Sequence, residues 1–200
     1  MKNGYKKKTL KLTRLGLLIA LIVVLQALST LLSRAAVLPF NLTLTLVPII
    51  VGALTIDIAG GAILGFAFGI IVMIFGFTGY DPSCAVLIES NVFFFILLCL
   101  VKGTAAGAGA GVVGRLLKDH KYAAAFTAAA VAPILNTGLF LVGMRVFYYD
   151  LMVDWAASAG QSIIYYAIIG LCGWNFVIEL GLNLILAPAV VRIADIVKRR

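Results

Sequence analysis

What most restricts this chain is a near-continuous succession of long apolar runs, each interrupted by only a few charged or glycine-rich residues. A run of about 20 apolar residues forms a helix as long as the hydrocarbon core of a bilayer is thick. Composition excludes the soluble alternative. Hydrophobic side chains make up 63% of the chain and charged ones 12%, where a water-soluble domain is about half apolar and about a quarter charged. Too few polar residues remain to cover a core in water, and a bilayer removes that need. The sequence predicts an all-α polytopic membrane protein, a single membrane domain over residues 1–200.

Residues 1–14 read as a basic start, residues 15–191 as six transmembrane helices and residues 192–200 as a basic tail. The first run, Leu15 to Leu32, follows a lysine-rich stretch as a secretory signal does, with Ser33-Arg34-Ala35-Ala36 as a conceivable cleavage region. It is longer than the ~7–15 residues of a signal core, and the chain after it stays hydrophobic, so it reads as span one. Span two runs from Leu44 to Ile56, short for a crossing, before the turn at Asp57 and Gly60-Gly61. Span three covers Ala62 to Phe77, and a polar loop follows from Thr78 to Ser90. Spans four and five are Asn91 to Leu117 and Tyr122 to Phe147; a polar segment then precedes span six, Ser162 to Val191.

Alternation puts the start, the 57–61 turn, the 118–121 loop and the C-terminus on one membrane face. That face collects Lys2, Lys6, Lys7, Lys8, Lys11, Arg14, Arg115, Lys118, Lys121, Arg192, Lys198, Arg199 and Arg200, whereas the opposite loops carry Asp81, Glu89, Asp150 and Asp154 beside Arg34 and Arg145. Positive charge stays inside, so both termini are expected in the cytoplasm. The net charge of +8 thus reads as topology and contact with anionic lipid, not as nucleic-acid binding. The three cysteines have no metal spacing and their odd number argues against a disulfide framework. His120 lies alone in a basic loop, so no metal site is expected.

Gly109-Ala-Gly111-Val-Val-Gly114 formally matches a phosphate-cradling turn, but it sits inside a helical run with no strand before it, and reads as tight helix packing. No ATP-binding loop occurs; ATP, if used, belongs to another subunit. Gly16 and Ala20 stand one turn apart in span one, small enough to admit another backbone, either of this chain or of a partner.

Ionisable groups within a bilayer are costly unless paired or facing a cavity. Counted from the outer face at 1.5 Å per residue, Lys102 lies ~18 Å deep and Glu179 ~25 Å deep. They either pair with each other across spans four and six or share a polar cavity. Asn175, Glu179 and Asn183 fall on one stripe of span six, and Asn136 of span five lies at a similar depth to Asn175. Trp174, Tyr165, Tyr166, Tyr148 and Tyr149 supply aromatic surface near the outer mouth, as belt residues or as pocket wall. Amides, one acid, one base and aromatics in the outer half suit a small polar organic ligand.

The basic start, the size, the Gly16/Ala20 pair, Asn41-Leu-Thr-Leu-Thr-Leu-Val-Pro48, Ala132-Pro-Ile-Leu-Asn136-Thr-Gly-Leu-Phe140 and Asn175-Phe-Val-Ile-Glu179 with Ala187-Pro188 together resemble the substrate-binding S component of an energy-coupling factor (ECF) vitamin transporter. The resemblance implies a membrane-embedded protein that captures a water-soluble vitamin and docks on one transmembrane coupling protein and two ATPase subunits, with no cofactor of its own. It implies that Gly16 and Ala20 face the coupling protein, with Gly in place of the usual first Ala. The pocket would form from spans four to six and the loop after span one, giving Lys102, Asn136, Asn175, Glu179, Asn41, Trp174 and Tyr165 as ligand-binding candidates. The Leu-Asn-Thr of span five and the Asn-xxx-Glu of span six look most like members assigned to pantothenate. A stand-alone ion- or proton-coupled carrier titrating Glu179 is the alternative from another class. An enzyme would need an acid–base or metal constellation that this chain does not offer.

Overall fold

Away from water, helices are what satisfy every backbone N–H and C=O within one apolar segment. A computed structural model describes residues 2–34, 44–80 and 82–198. The elements are α1 (Lys2–Arg34), α2 (Leu46–Thr55), α3 (Ile58–Phe77), α4 (Pro82–Leu116), α5 (Lys121–Phe147), α6 (Tyr149–Ser158), α7 (Ile163–Cys172) and α8 (Gly173–Lys198). Among the described residues five helical segments are long and apolar enough to cross a bilayer: Lys8–Leu32, Ile58–Phe77, Cys84–Leu116, Lys121–Phe147 and Asn175–Val197. The chain is an all-α, multi-pass integral membrane protein.

Among the described residues the bent pair α6–α7 makes a sixth span if counted as one, and the spans are not all placed as expected. The expected second span is α2, ten residues long and so ~15 Å at 1.5 Å per residue, about half a hydrocarbon core. It is the centre of the bundle, touching α1, α3, α4, α5 and α8, with Leu46, Ile49 and Ile50 fully enclosed. Its run looked like a short span because a helix buried on all sides is as apolar as one facing lipid. The polar segment expected before the sixth span forms α6, which meets α7 at a 99° bend. The expected sixth span is divided between α7 and α8: the stretch Tyr166–Cys172 is wound as a π-helix, and Gly173 breaks it at φ 34°. Glycine alone takes that positive φ without a steric penalty. From there α8 runs on to Lys198, absorbing most of the expected tail.

Two further boundaries differ. Residues 82–90, expected as loop, are helical, and α4 is interrupted at Asn91, where the backbone is extended (φ −162°, ψ 102°). The Asn91 side-chain oxygen accepts the Phe94 N–H at 3.2 Å, restarting the helix as an N-cap does. The Asn91 carbonyl accepts the buried Tyr148 hydroxyl at 2.7 Å, fastening α4 to the end of α5. At the other end, α1 begins at Lys2, so the basic start is itself helical.

Glycine spacing explains the closest helix pair. Gly61, Gly65 and Gly69 of α3 recur every four residues on one stripe, and a side chain at each would collide with the carbonyl of Gly107, Gly103 and Cys99 of α4, respectively. The two backbones run antiparallel in contact, as small residues permit in a membrane. The glycine tract of α4 is thus packing surface, as expected: Gly109 meets Leu135 of α5 and Gly114 meets Leu54 of α2.

The helix ends agree with the alternation of sides. Lys11 of α1 pairs with Asp57 before α3, and Lys121 of α5 with Asp195 of α8, each at 2.6 Å. Arg14 donates to the Val197 carbonyl at 3.0 Å. These bonds gather the start of α1, the 57 turn, the start of α5 and the end of α8 on one basic face. Asp57 also caps α3 by accepting the Gly60 N–H at 2.6 Å. The Lys11 hydrogen bond holds its carboxyl below the usual aspartate range, burial opposes this, and the Gly60 N–H adds to it.

Candidate functional site

Between α4, α5 and α8 the bundle encloses a cavity of about 500 Å³, within the range of small-molecule sites. It gathers Lys102 from α4, Asn136 from α5 and both Asn175 and Glu179 from α8. Each arrives by simple helix geometry. Asn175 and Glu179 are four residues apart and share a face. Asn136 is three residues past Pro133, which lacks the N–H that would bond the carbonyl of residue 129. Lys102 precedes Gly103 of the glycine seam, so the close α3–α4 contact fixes its direction.

The polar groups in the cavity are not spent on one another. Among the described residues the ion pairs are those of Lys11 and Lys121, so Lys102 and Glu179 do not pair. The Lys102 ammonium lies 5.2 Å from the Phe140 ring centroid, within cation–π range. Side-chain oxygens of Asn136, Asn175, Glu179 and Gln26 are all buried without a hydrogen-bond partner. Glu179 is 3% exposed and Asn136 9%. A buried acceptor without a donor costs about 1–3 kcal/mol, a cost that a donor-bearing occupant would offset.

Aromatic walls complete the cavity: Phe68, Phe140, Trp155, Tyr166 and Phe176. Tyr165 is not among them. It is 52% exposed and borders an adjoining apolar groove between α5 and α7–α8 that also meets Ile168, Ile169 and Val177 and shares Thr137, Cys172 and Phe176 with the cavity. Adjacent residues on a helix point roughly 100° apart, and which of Tyr165 and Tyr166 faces inward depends on how α7 is rotated. Asn183, third on the Asn175/Glu179 stripe, lies outside the cavity; its amide donates to the Glu179 carbonyl at 2.7 Å. Asn41 lies outside the described residues, and so does the side chain of Trp174. Sequence reasoning missed Gln26 and Trp155. Gln26 was legible as an amide in the middle of an apolar span; Trp155, in the segment expected as a polar loop, carried no such signal.

The small pair of α1 faces away from the bundle. Nothing lies within 4 Å of a side chain added at Gly16, and Ala20 is exposed among outward-facing Leu17 and Val24. Packing against another helix of the same chain, one of the two expectations for this pair, does not occur among the described residues. Likewise, no group of three or more His, Cys, Asp and Glu comes together there. No family model, curated protein or solved structure matches the chain.

Proposed function

We propose that the chain is the membrane-embedded substrate-binding subunit of an ECF-type ABC transporter in the cell membrane of a bacterium. It captures a water-soluble vitamin from outside, pantothenate being the first candidate. A transmembrane coupling protein and two ATPase subunits, which hydrolyse the ATP, then drive uptake. The observation that carries this reading is the cavity in which Lys102, Asn136, Asn175 and Glu179 converge with unpartnered acceptors. A carboxylate on the vitamin would meet the Lys102 ammonium, and its hydroxyl or amide donors would meet the oxygens. The bare, outward Gly16/Ala20 face supports docking of a partner helix, since small residues let two backbones approach in a bilayer. The resemblance in the sequence supplies the family, and no residue is assigned a catalytic role.

The test is a binding screen of the purified protein against pantothenate, riboflavin, folate and the other water-soluble vitamins by thermal shift and calorimetry. Saturable binding of one of them, with uptake only when the coupling and ATPase subunits are co-reconstituted, is the expected result. Ion-driven transport by the chain alone in proteoliposomes would establish instead the stand-alone carrier that titrates Glu179.

A further inference from the structure

Among the described residues, the backbone of α1 runs close to those of α2 and α3 and to none of α4, α5 and α8. On the basic face it is tied to α8 by the Arg14 bond to the Val197 carbonyl. Further up, Leu18 and Ile22 anchor it in the core, and Gln26 follows one turn beyond Ile22 on the same face. Gln26 opens into the cavity, and its side-chain oxygen is buried with no partner. Asn175 and Glu179 of α8 line the same cavity, with oxygens in the same condition. The Gln26 backbone carbonyl already accepts the Thr30 hydroxyl at 3.0 Å, so local hydrogen bonding accounts for the backbone and leaves the amide unaccounted for. An apolar side chain there would avoid the penalty of an unmet acceptor.

We infer that Gln26 is a recognition residue, and that the occupant donates from an N–H or O–H to Gln26 and from another to Glu179, bridging α1 to α8. This rests on the ligand-binding reading of the cavity. The occupant then supplies a polar link, beyond the Arg14 bond, between two helices whose backbones do not run close together. Gly16 and Ala20 lie on the same rigid helix, ~15 and ~9 Å from Gln26 at 1.5 Å per residue. Filling the cavity therefore fixes the face offered to a partner, and by reciprocity docking tightens the hold on the occupant.

Two arms of the test need no ligand. In Gln26→Cys, an anionic, membrane-impermeant methanethiosulfonate should modify position 26 from outside, and in Leu28→Cys, on the lipid-facing side of α1, position 28 should stay unmodified, both read by mass spectrometry. Empty Gln26→Leu should melt higher than the empty wild type, because an unmet acceptor has been removed. An unreactive position 26, or a lower melting temperature for Gln26→Leu, overturns the proposal by making Gln26 a structural residue. The third arm uses a saturating mixture of pantothenate, riboflavin and folate as probe and reads amide hydrogen exchange. Slowed exchange in α8 around Asn175–Glu179 reports binding, and slowed exchange in α1 around Gln26 reports the bridge. Gln26→Leu should keep the first, lose the second and bind roughly tenfold more weakly. Protection of α1 that persists in Gln26→Leu overturns the bridge, whereas no protection anywhere in the wild type counts against the vitamin reading and leaves Gln26 to be decided by the first two arms.

Discussion

At the scale of single residues, Glu179 and Lys102 line one cavity without a direct ion pair, and this fixes what their replacement does. If they formed a structural pair, either single change would strand a buried charge and the double change would restore stability. Unpaired, Glu179→Gln should leave the empty protein at least as heat-stable as wild type, because a neutral amide is cheaper to bury than a carboxylate. Ligand affinity should fall roughly ten- to a hundred-fold, the equivalent of ~1–3 kcal/mol for one lost hydrogen bond. Lys102→Met should behave alike, and a double variant with wild-type affinity would refute the assignment of both. Asp57 makes a separate forecast. Its carboxyl is held below the usual aspartate range by Lys11, so the clasp is intact above that range and is lost as pH falls through the lowered value. Asp57→Asn keeps the cap on Gly60 and removes the charge. Melting curves should show the variant slightly less stable than wild type at neutral pH and equal to it in strong acid; a difference that persists in acid would show that the ion pair is not its source.

At the scale of elements, the α3–α4 seam depends on the absence of side chains. Gly65→Ala places a methyl against the Gly103 carbonyl, and neither backbone has a rotamer by which to yield. A loss of about 1–3 kcal/mol is expected from overpacking of this kind, read as a lowered melting temperature in detergent. The control is Gly181→Ala in α8, where nothing lies within 4 Å and the higher helix propensity of alanine should raise stability slightly. Equal effects at both positions would mean that the seam is looser than its carbonyl contacts indicate. The element the sequence misassigned, α2, shows the limit of hydropathy: enclosed by five helices, it has the composition of a span and half the length. The π-helical turn before Gly173 puts a break beside Asn175, and such turns are often found at functional sites.

At the scale of the whole molecule, two features are distinct: a cavity lined by Lys102, Asn136, Asn175 and Glu179, and a lateral surface on α1 where Gly16 and Ala20 are bare. If the second serves docking, Gly16→Leu should abolish uptake by the reconstituted transporter and leave vitamin affinity within about twofold of wild type, since an exposed substitution away from special features typically shifts stability by no more than ~0.5 kcal/mol. Parallel uptake and calorimetric assays separate the two. Loss of binding with normal assembly would move Gly16 from the docking surface to the interior. The Lys11, Arg14 and Lys121 bonds join helix ends on the basic face.

By itself the sequence determined the class of the molecule and singled out helix ends that share a basic face, because bilayer thickness converts the length of an apolar run into a crossing and lysine and arginine collect on one side. It also singled out Lys102, Asn136, Asn175 and Glu179, because polar groups inside apolar runs are costly enough to stand out. Only the tertiary structure decided that Lys102 and Glu179 remain apart, that Tyr166 faces the cavity and Tyr165 does not, that α2 is a buried half-length helix and that Gln26 joins the site from α1. Each of these depends on how one helix is rotated and placed against its neighbours. Periodicity gives the angle between two residues on a helix; the direction in which the helix as a whole points is set by the packing of all the others.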